Sequence, residues 1–167
     1  MQKFHIFGAI VFCKLIYFSD FCGYIFQIFA DIFFVMSRKE YREINQKFLD
    51  DKAKEADVQE LVNGVLYKVI EQGNGSGEVK FNSIVTCHYK GTRVDGYVFD
   101  NSFNRQVPEA FRVNELIPGF QAALMKMHKG DRWEVYIPYT QGYGTRNSGP
   151  IPGYSTLIFE ILLVGIA

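Results

Sequence analysis

The chain has 167 residues, 48% of them hydrophobic, and its 18 Lys and Arg balance its 18 Asp and Glu. That length accommodates one ordinary globular core with sequence left over. Neutral balance without a basic stripe leaves no electrostatic footprint for binding nucleic acid, and because only Cys87 of the three cysteines lies in the globular-looking part, no disulfide framework holds that part together.

Residues 1–35 form an apolar leader that holds nine of the sixteen phenylalanines. Lys14, Asp20 and Asp31 interrupt it, whereas a membrane-spanning helix needs about 20 mostly apolar residues and a central aspartate costs about 2.5–3.5 kcal/mol. A secretory signal would use Lys3 and the apolar run from Phe4 to Cys13, but no small-residue cleavage site follows. Composition changes abruptly at Met36. If translation starts there, the protein is cytoplasmic; if the leader is real, the protein is exported or anchored to a membrane.

Residues 37–62 read as a charged amphipathic helix. Between Ser37 and Glu60, 13 of 24 positions are charged, and Ser37 with Glu40 has the spacing of a capping box. Tyr41, Ile44 and Phe48 make a narrow apolar stripe. The stripe docks on the main domain or on a second copy; the alternative is a solvated tether.

From residue 65 to 167 the period switches to two. The stretches 65–70, 84–93, 109–113, 132–137 and 156–166 are rich in branched and aromatic residues and are separated by glycine or proline, which predicts strands. The glycine-rich run 73–77 lacks the Lys-Ser/Thr of a phosphate loop and reads as a turn between strands. One segment departs from the pattern: Pro118 opens a short amphipathic helix carried by Phe120, Ala123, Leu124 and Met127, with Lys129 and Gly130 as stop signals. A sheet that must bury one face and a helix that must bury one stripe satisfy each other when the sheet wraps the helix.

Nucleophile and metal constellations are missing from this part. His88 and His128 are its only histidines, and no Cys/His/carboxylate cluster has metal-ligand spacing. Cys87 reads as a buried free thiol, because adjacent His88 points to the other face of a strand. No cofactor is implied. What stands out instead is aromatic and branched residues near glycine or proline, among them Tyr97, Phe99, Phe103, Tyr139, Tyr143 and Ile151. Such a surplus suggests an apolar small-ligand pocket.

The runs HYKGTRVDGYVFDNS (88–102), FRVNELIPGF (111–120), Gly142-Tyr143-Gly144 and GPIPGYSTLIFEILL (149–163) occur in this order. Together they resemble the FKBP-type peptidyl-prolyl cis/trans isomerases, especially the bacterial branch. The resemblance implies an α+β fold, an antiparallel five- to six-stranded half-barrel around one short helix, and the charged helix read from residues 37–62 precedes it. It also implies a site in which Asp100, Tyr143, Phe99 and Tyr89 act on the substrate, while Leu116, Ile117, Phe120, Ile151, Phe159 and Arg105 bind it. Arg105 matches an arginine that pairs with the aspartate.

Two positions depart from the family pattern. Phe120 stands where the family usually has tryptophan on the pocket floor, and Glu109 stands at an aromatic wall position. Phenylalanine keeps a flat floor but loses the indole area and its N–H, which implies weaker binding of macrolides of the tacrolimus or rapamycin type with isomerase activity retained. The implied partners are proline-containing polypeptides. A non-catalytic binding module or holdase using the same pocket is the alternative reading.

Overall fold

The computed structural model describes residues 38–167. The apolar leader and Ser37 lie outside the described residues, and with them the proposed capping box.

Helix α1 covers residues 38–52. It ends there, short of residue 62: Ala53 N–H donates to the Leu49 carbonyl at 2.9 Å, the chain turns, and Val58–Glu60 forms strand β1. Charge density continues past residue 52, so sequence alone offers no stop. The stop is tertiary, because Val58 packs beside Leu49, Leu66 and Tyr136 while β1 pairs with the next strand.

Six more strands complete one antiparallel sheet: β2 (Leu66–Glu71), β3 (Ile84–Arg93), β4 (Val98–Asn101), β5 (Glu109–Arg112), β6 (Arg132–Ile137) and β7 (Leu157–Ile166). Their order is β1-β2-β6-β7-β3-β4, with β5 pairing the first half of β3. This agrees with the expected sheet and adds two short strands, β1 and β4, whose few residues are too short for a period-two signal. Because β6 and β7 lie between β2 and β3, residues 72–83 cross the end of the sheet and are not a hairpin turn. Asp131, buried to 3% exposure, accepts the Gly73 N–H at 2.6 Å and the His128 N–H at 2.7 Å, pinning this crossover.

Between the strands lie α2 (Ser102–Arg105) and α3 (Pro118–Leu124). Helix α3 starts as predicted, with proline at its first turn, and buries Phe120, Ala123 and Leu124. These meet the inward residues of the long strands, including Val85, Cys87, Val135, Leu157, Ile161 and Leu163, in the main core. Alternation along β3 and β7 puts every second residue there, and burying each large aliphatic side chain contributes about 1.5–3 kcal/mol.

The outer face of β2, β6 and β7 carries a second, smaller cluster. Leu49 and Phe48 of α1 cover Leu66, Tyr136 and Ile158. The docked stripe of α1 is Tyr41, Asn45, Phe48, Leu49 and Lys52, whereas Ile44 points away at 52% exposure. The stripe read from sequence is thus rotated: Asn45, a polar residue, takes a buried place because it has hydrogen-bond partners there.

Candidate functional site

Tyr89 from β3, Phe99 and Asp100 from β4, Phe111 from β5, Leu116 and Ile117 at the entry to α3, Phe120, Tyr143, Ile151 and Phe159 surround one cavity of about 470 Å³. Nine of the ten residues expected from sequence line it, and the tenth, Arg105, stands behind Asp100. The volume lies within the range of small-ligand pockets, about 300–1,000 Å³.

The floor is aromatic. Phe120 is 4% exposed and meets Phe159 edge to face at 5.0 Å and Tyr89 at 6.3 Å. Phe99 meets Phe159 edge to face at 5.6 Å, and Phe111 meets Tyr89 at the same distance. Such T-shaped pairs fix ring orientation. Gly91 opposite Asp100 makes room for them, since a Cβ there would lie 2.5 Å from Phe99 Cζ and 2.9 Å from Phe159 Cε1.

One edge is polar and fully connected. The Tyr89 hydroxyl donates to Asp100 Oδ2, and Arg105 Nη1 donates to Asp100 Oδ1 at 2.7 Å. Arg105 Nη2 donates to Glu109. Helix α2 makes this possible: Asn101 Oδ1 caps it by accepting the Phe103 N–H at 3.0 Å, and Gln106 ends it in a left-handed conformation, so Arg105 folds back onto Asp100. Beneath, the buried Ser102 hydroxyl accepts the Tyr89 N–H at 2.7 Å and ties α2 to β3.

These contacts set the protonation states. Partial burial pushes the Asp100 carboxyl upward, but hydrogen bonds from Tyr89 and Arg105 outweigh it and hold the pKa below the ordinary value. Burial, then the hydrogen bond to Asp100, raises the Tyr89 phenol. Tyr143 is raised by burial and by the Asp100 charge. At neutral pH Asp100 is therefore a carboxylate, and Tyr89 and Tyr143 are protonated phenols. Cys87, buried beside Glu109 in the register, is pushed up to about 12 by burial and by that charge, and is inert.

Tyr143 differs from the polar edge. It sits between Gly142 and Gly144, the latter at φ 75°, on the wall formed by residues 138–156. It is 43% exposed, and its hydroxyl forms no hydrogen bond with the other described residues.

Sequence reasoning missed Phe111, Glu115 and the Ser148–Pro150 rim, all of which line the cavity. Phe111 was readable: it lies two residues from Glu109 on β5 and shares its face. Phe111 supplies an aromatic surface on this strand, and Glu109 joins Arg105 instead of lining the cavity. Ser102 carries no local signal, since its role exists only through β3.

The family model described as FKBP-type peptidyl-prolyl cis-trans isomerase matches residues 75–164, more than half of the chain. The chain belongs to the FKBP-type peptidyl-prolyl cis-trans isomerase family. Among similar FKBP-type proteins is the 22 kDa peptidyl-prolyl cis-trans isomerase of Escherichia coli strain K12, 41% identical over 121 residues, covering 72% of this chain and 58% of the relative. The macrophage infectivity potentiator of Trypanosoma cruzi is 38% identical over 126 residues, covering 75% and 64%. The crystal structure of FkpA from Escherichia coli matches with a TM-score of 0.75 at 30% identity, covering 93% of this chain and 76% of that one. The chain thus spans roughly three-fifths of the length of the two curated relatives.

Proposed function

We propose that this FKBP-family chain accelerates cis/trans rotation of X-Pro bonds in folding or unfolded polypeptides. One observation carries the reading: an aromatic cavity has a hydrogen-bonded carboxylate edge on one side and, on the other, a tyrosine hydroxyl with no hydrogen-bond partner among the described residues.

The X-Pro amide resists rotation because resonance gives its C–N bond double-bond character, a barrier of about 18–20 kcal/mol. In the twisted transition state that resonance is lost and the amide is less dipolar. A site that holds the proline ring against Phe99, Ile117, Phe120 and Phe159, and excludes water that favours the planar amide, lowers the barrier without covalent chemistry. The Tyr143 hydroxyl donates to a substrate carbonyl. Asp100, oriented by Tyr89 and Arg105, supplies a fixed field beside the rotating amide; Leu116 and Ile151 complete the walls.

Residues 65–167 form the isomerase domain in this reading. Macrolides of the tacrolimus or rapamycin type occupy the same cavity, held more weakly over phenylalanine than over a larger indole. Nucleic acid is not a partner. Among the described residues no helix is long and apolar enough to cross a membrane; the compartment follows residues 1–35, with a cytoplasmic protein for a start at Met36 and an exported or anchored one for a retained leader. Mass determination of the native N-terminus separates these.

The functional test is a protease-coupled isomerisation assay on the full chain with a short proline peptide. Acceleration abolished by a macrolide supports the reading. A folded protein that gives no acceleration overturns it.

A further inference from the structure

We propose that helix α1, upstream of the matched family region, is a brace that positions the Tyr143 wall of the site, with Arg42, Tyr41 and Asn45 as positioning residues.

Residues 138–156 connect β6 to β7 and carry Tyr143 and the Ser148–Ile151 rim. A connection of this length is uncommon without its own support. Part of that support comes from α1. The guanidinium of Arg42 lies 5.6 Å from the ring centroids of both Tyr139 and Tyr154, which meet edge to face at 5.1 Å. The Tyr41 hydroxyl lies 2.8 Å from Ser155 Oγ. Asn45, 2% exposed, accepts the Thr156 N–H at 2.6 Å and donates to the Tyr41 carbonyl at 2.8 Å, so its amide bonds both the helix and the base of β7.

Tyr154 shows why a brace is needed. Its φ is 66°, a left-handed conformation that bulky side chains disfavour unless their surroundings impose it. In this conformation its N–H donates to the Gly144 carbonyl at 2.9 Å, and Gly144 directly follows Tyr143. The contacts thus run from Arg42 to the Tyr154 ring, from the Tyr154 backbone to Gly144, and from there to the Tyr143 hydroxyl. Lengthening that path by a fraction of an ångström moves this hydroxyl donor in the cavity wall.

This inference rests on the isomerase reading for its kinetic arm and on the fold alone for its exchange arm. The test compares the full chain with the double variant Tyr41→Phe/Arg42→Ala and with Ile44→Ala, which alters the outward face of the same helix. Expected for the double variant are a fall in kcat/KM of about fivefold, carried mainly by KM, and faster hydrogen exchange at the Tyr154 amide. Ile44→Ala should match the parent, and Arg42→Lys, which keeps the cation, should recover most of the loss. If the double variant matches the parent in both kinetics and Tyr154 exchange, the brace is overturned. An inactive parent refutes the isomerase reading alone, and the exchange comparison then decides the brace. Asn45→Ala adds a stronger perturbation but risks misfolding, so the conclusion does not depend on it.

Discussion

The two polar walls of the cavity are built on opposite plans. Around Asp100 the carboxylate is saturated: Tyr89, Arg105 and the Asn101 N–H all donate to it, and Glu109 holds the other arm of Arg105. Around Tyr143 the backbone is held firmly, yet the hydroxyl has no partner among the described residues. A saturated group is preorganised and cannot reorient when substrate arrives, so it acts as a fixed field. A solvated donor with no protein partner is free to exchange water for a substrate acceptor on binding. The contrast separates an orienting wall from a docking wall, and both stand on one aromatic floor that is also the top of the core.

Removing both walls is the largest perturbation. Asp100→Ala combined with Tyr143→Phe should lower kcat/KM by about 100-fold, equivalent to about 2.7 kcal/mol of transition-state preference. The fluorescence of Trp133, the only tryptophan, should remain native, because that ring stacks on Tyr67 at 4.4 Å and does not line the cavity. A variant as active as the parent would remove both residues from the mechanism.

Disturbing the shared floor comes next. Gly91→Ala forces the Phe99 and Phe159 rings apart and should destabilise the domain by about 1–3 kcal/mol, the usual effect of overpacking, while raising KM. Urea unfolding and steady-state kinetics on one preparation measure both. Unchanged KM in a destabilised protein would detach the floor from substrate binding. Phe120→Trp works in the opposite direction: calorimetry should find macrolide binding strengthened about tenfold by the added aromatic area, with turnover nearly unchanged.

The smallest effect is the response to pH. Asp100 titrates below the ordinary carboxylate value and Tyr89 and Tyr143 above the ordinary phenol value, so kcat/KM should be flat between about pH 5 and 9. The depressed Asp100 pKa means its contribution to stability is complete above the unfolded value, about pH 4, and is lost as pH falls through the folded value. A bell-shaped profile centred near neutrality would require a titrating group that neither wall contains.

Much of this was legible in the sequence because it is local or repetitive. Alternation placed β3 and β7, Pro118 with the Phe120, Ala123 and Leu124 spacing placed α3, and the dispersed runs from His88 to Leu163 marked the lining of the cavity. Where the sequence misled, a distant partner decided. Helix α1 stops at residue 52 because Val58 has a strand to join, and Ile44 faces outward because Asn45 finds Thr156. Glu109 was settled in the same way: it stands where the family has an aromatic wall residue, and the fold gives its carboxylate to Arg105 and sets Phe111 in the cavity.

The sequence by itself determined the alternating strands and the buried helix α3, since side-chain periodicity and turn chemistry act over a few neighbours, and its resemblance to the family marked the aromatic and carboxylate residues of the site. Only the tertiary structure decided the strand order that separates β2 from β3, the pairing of Arg105 with two carboxylates, and the seating of α1 against residues 138–156. Those depend on groups far apart along the chain, whose hydrogen bonds and ring contacts exist only once the sheet has closed around α3.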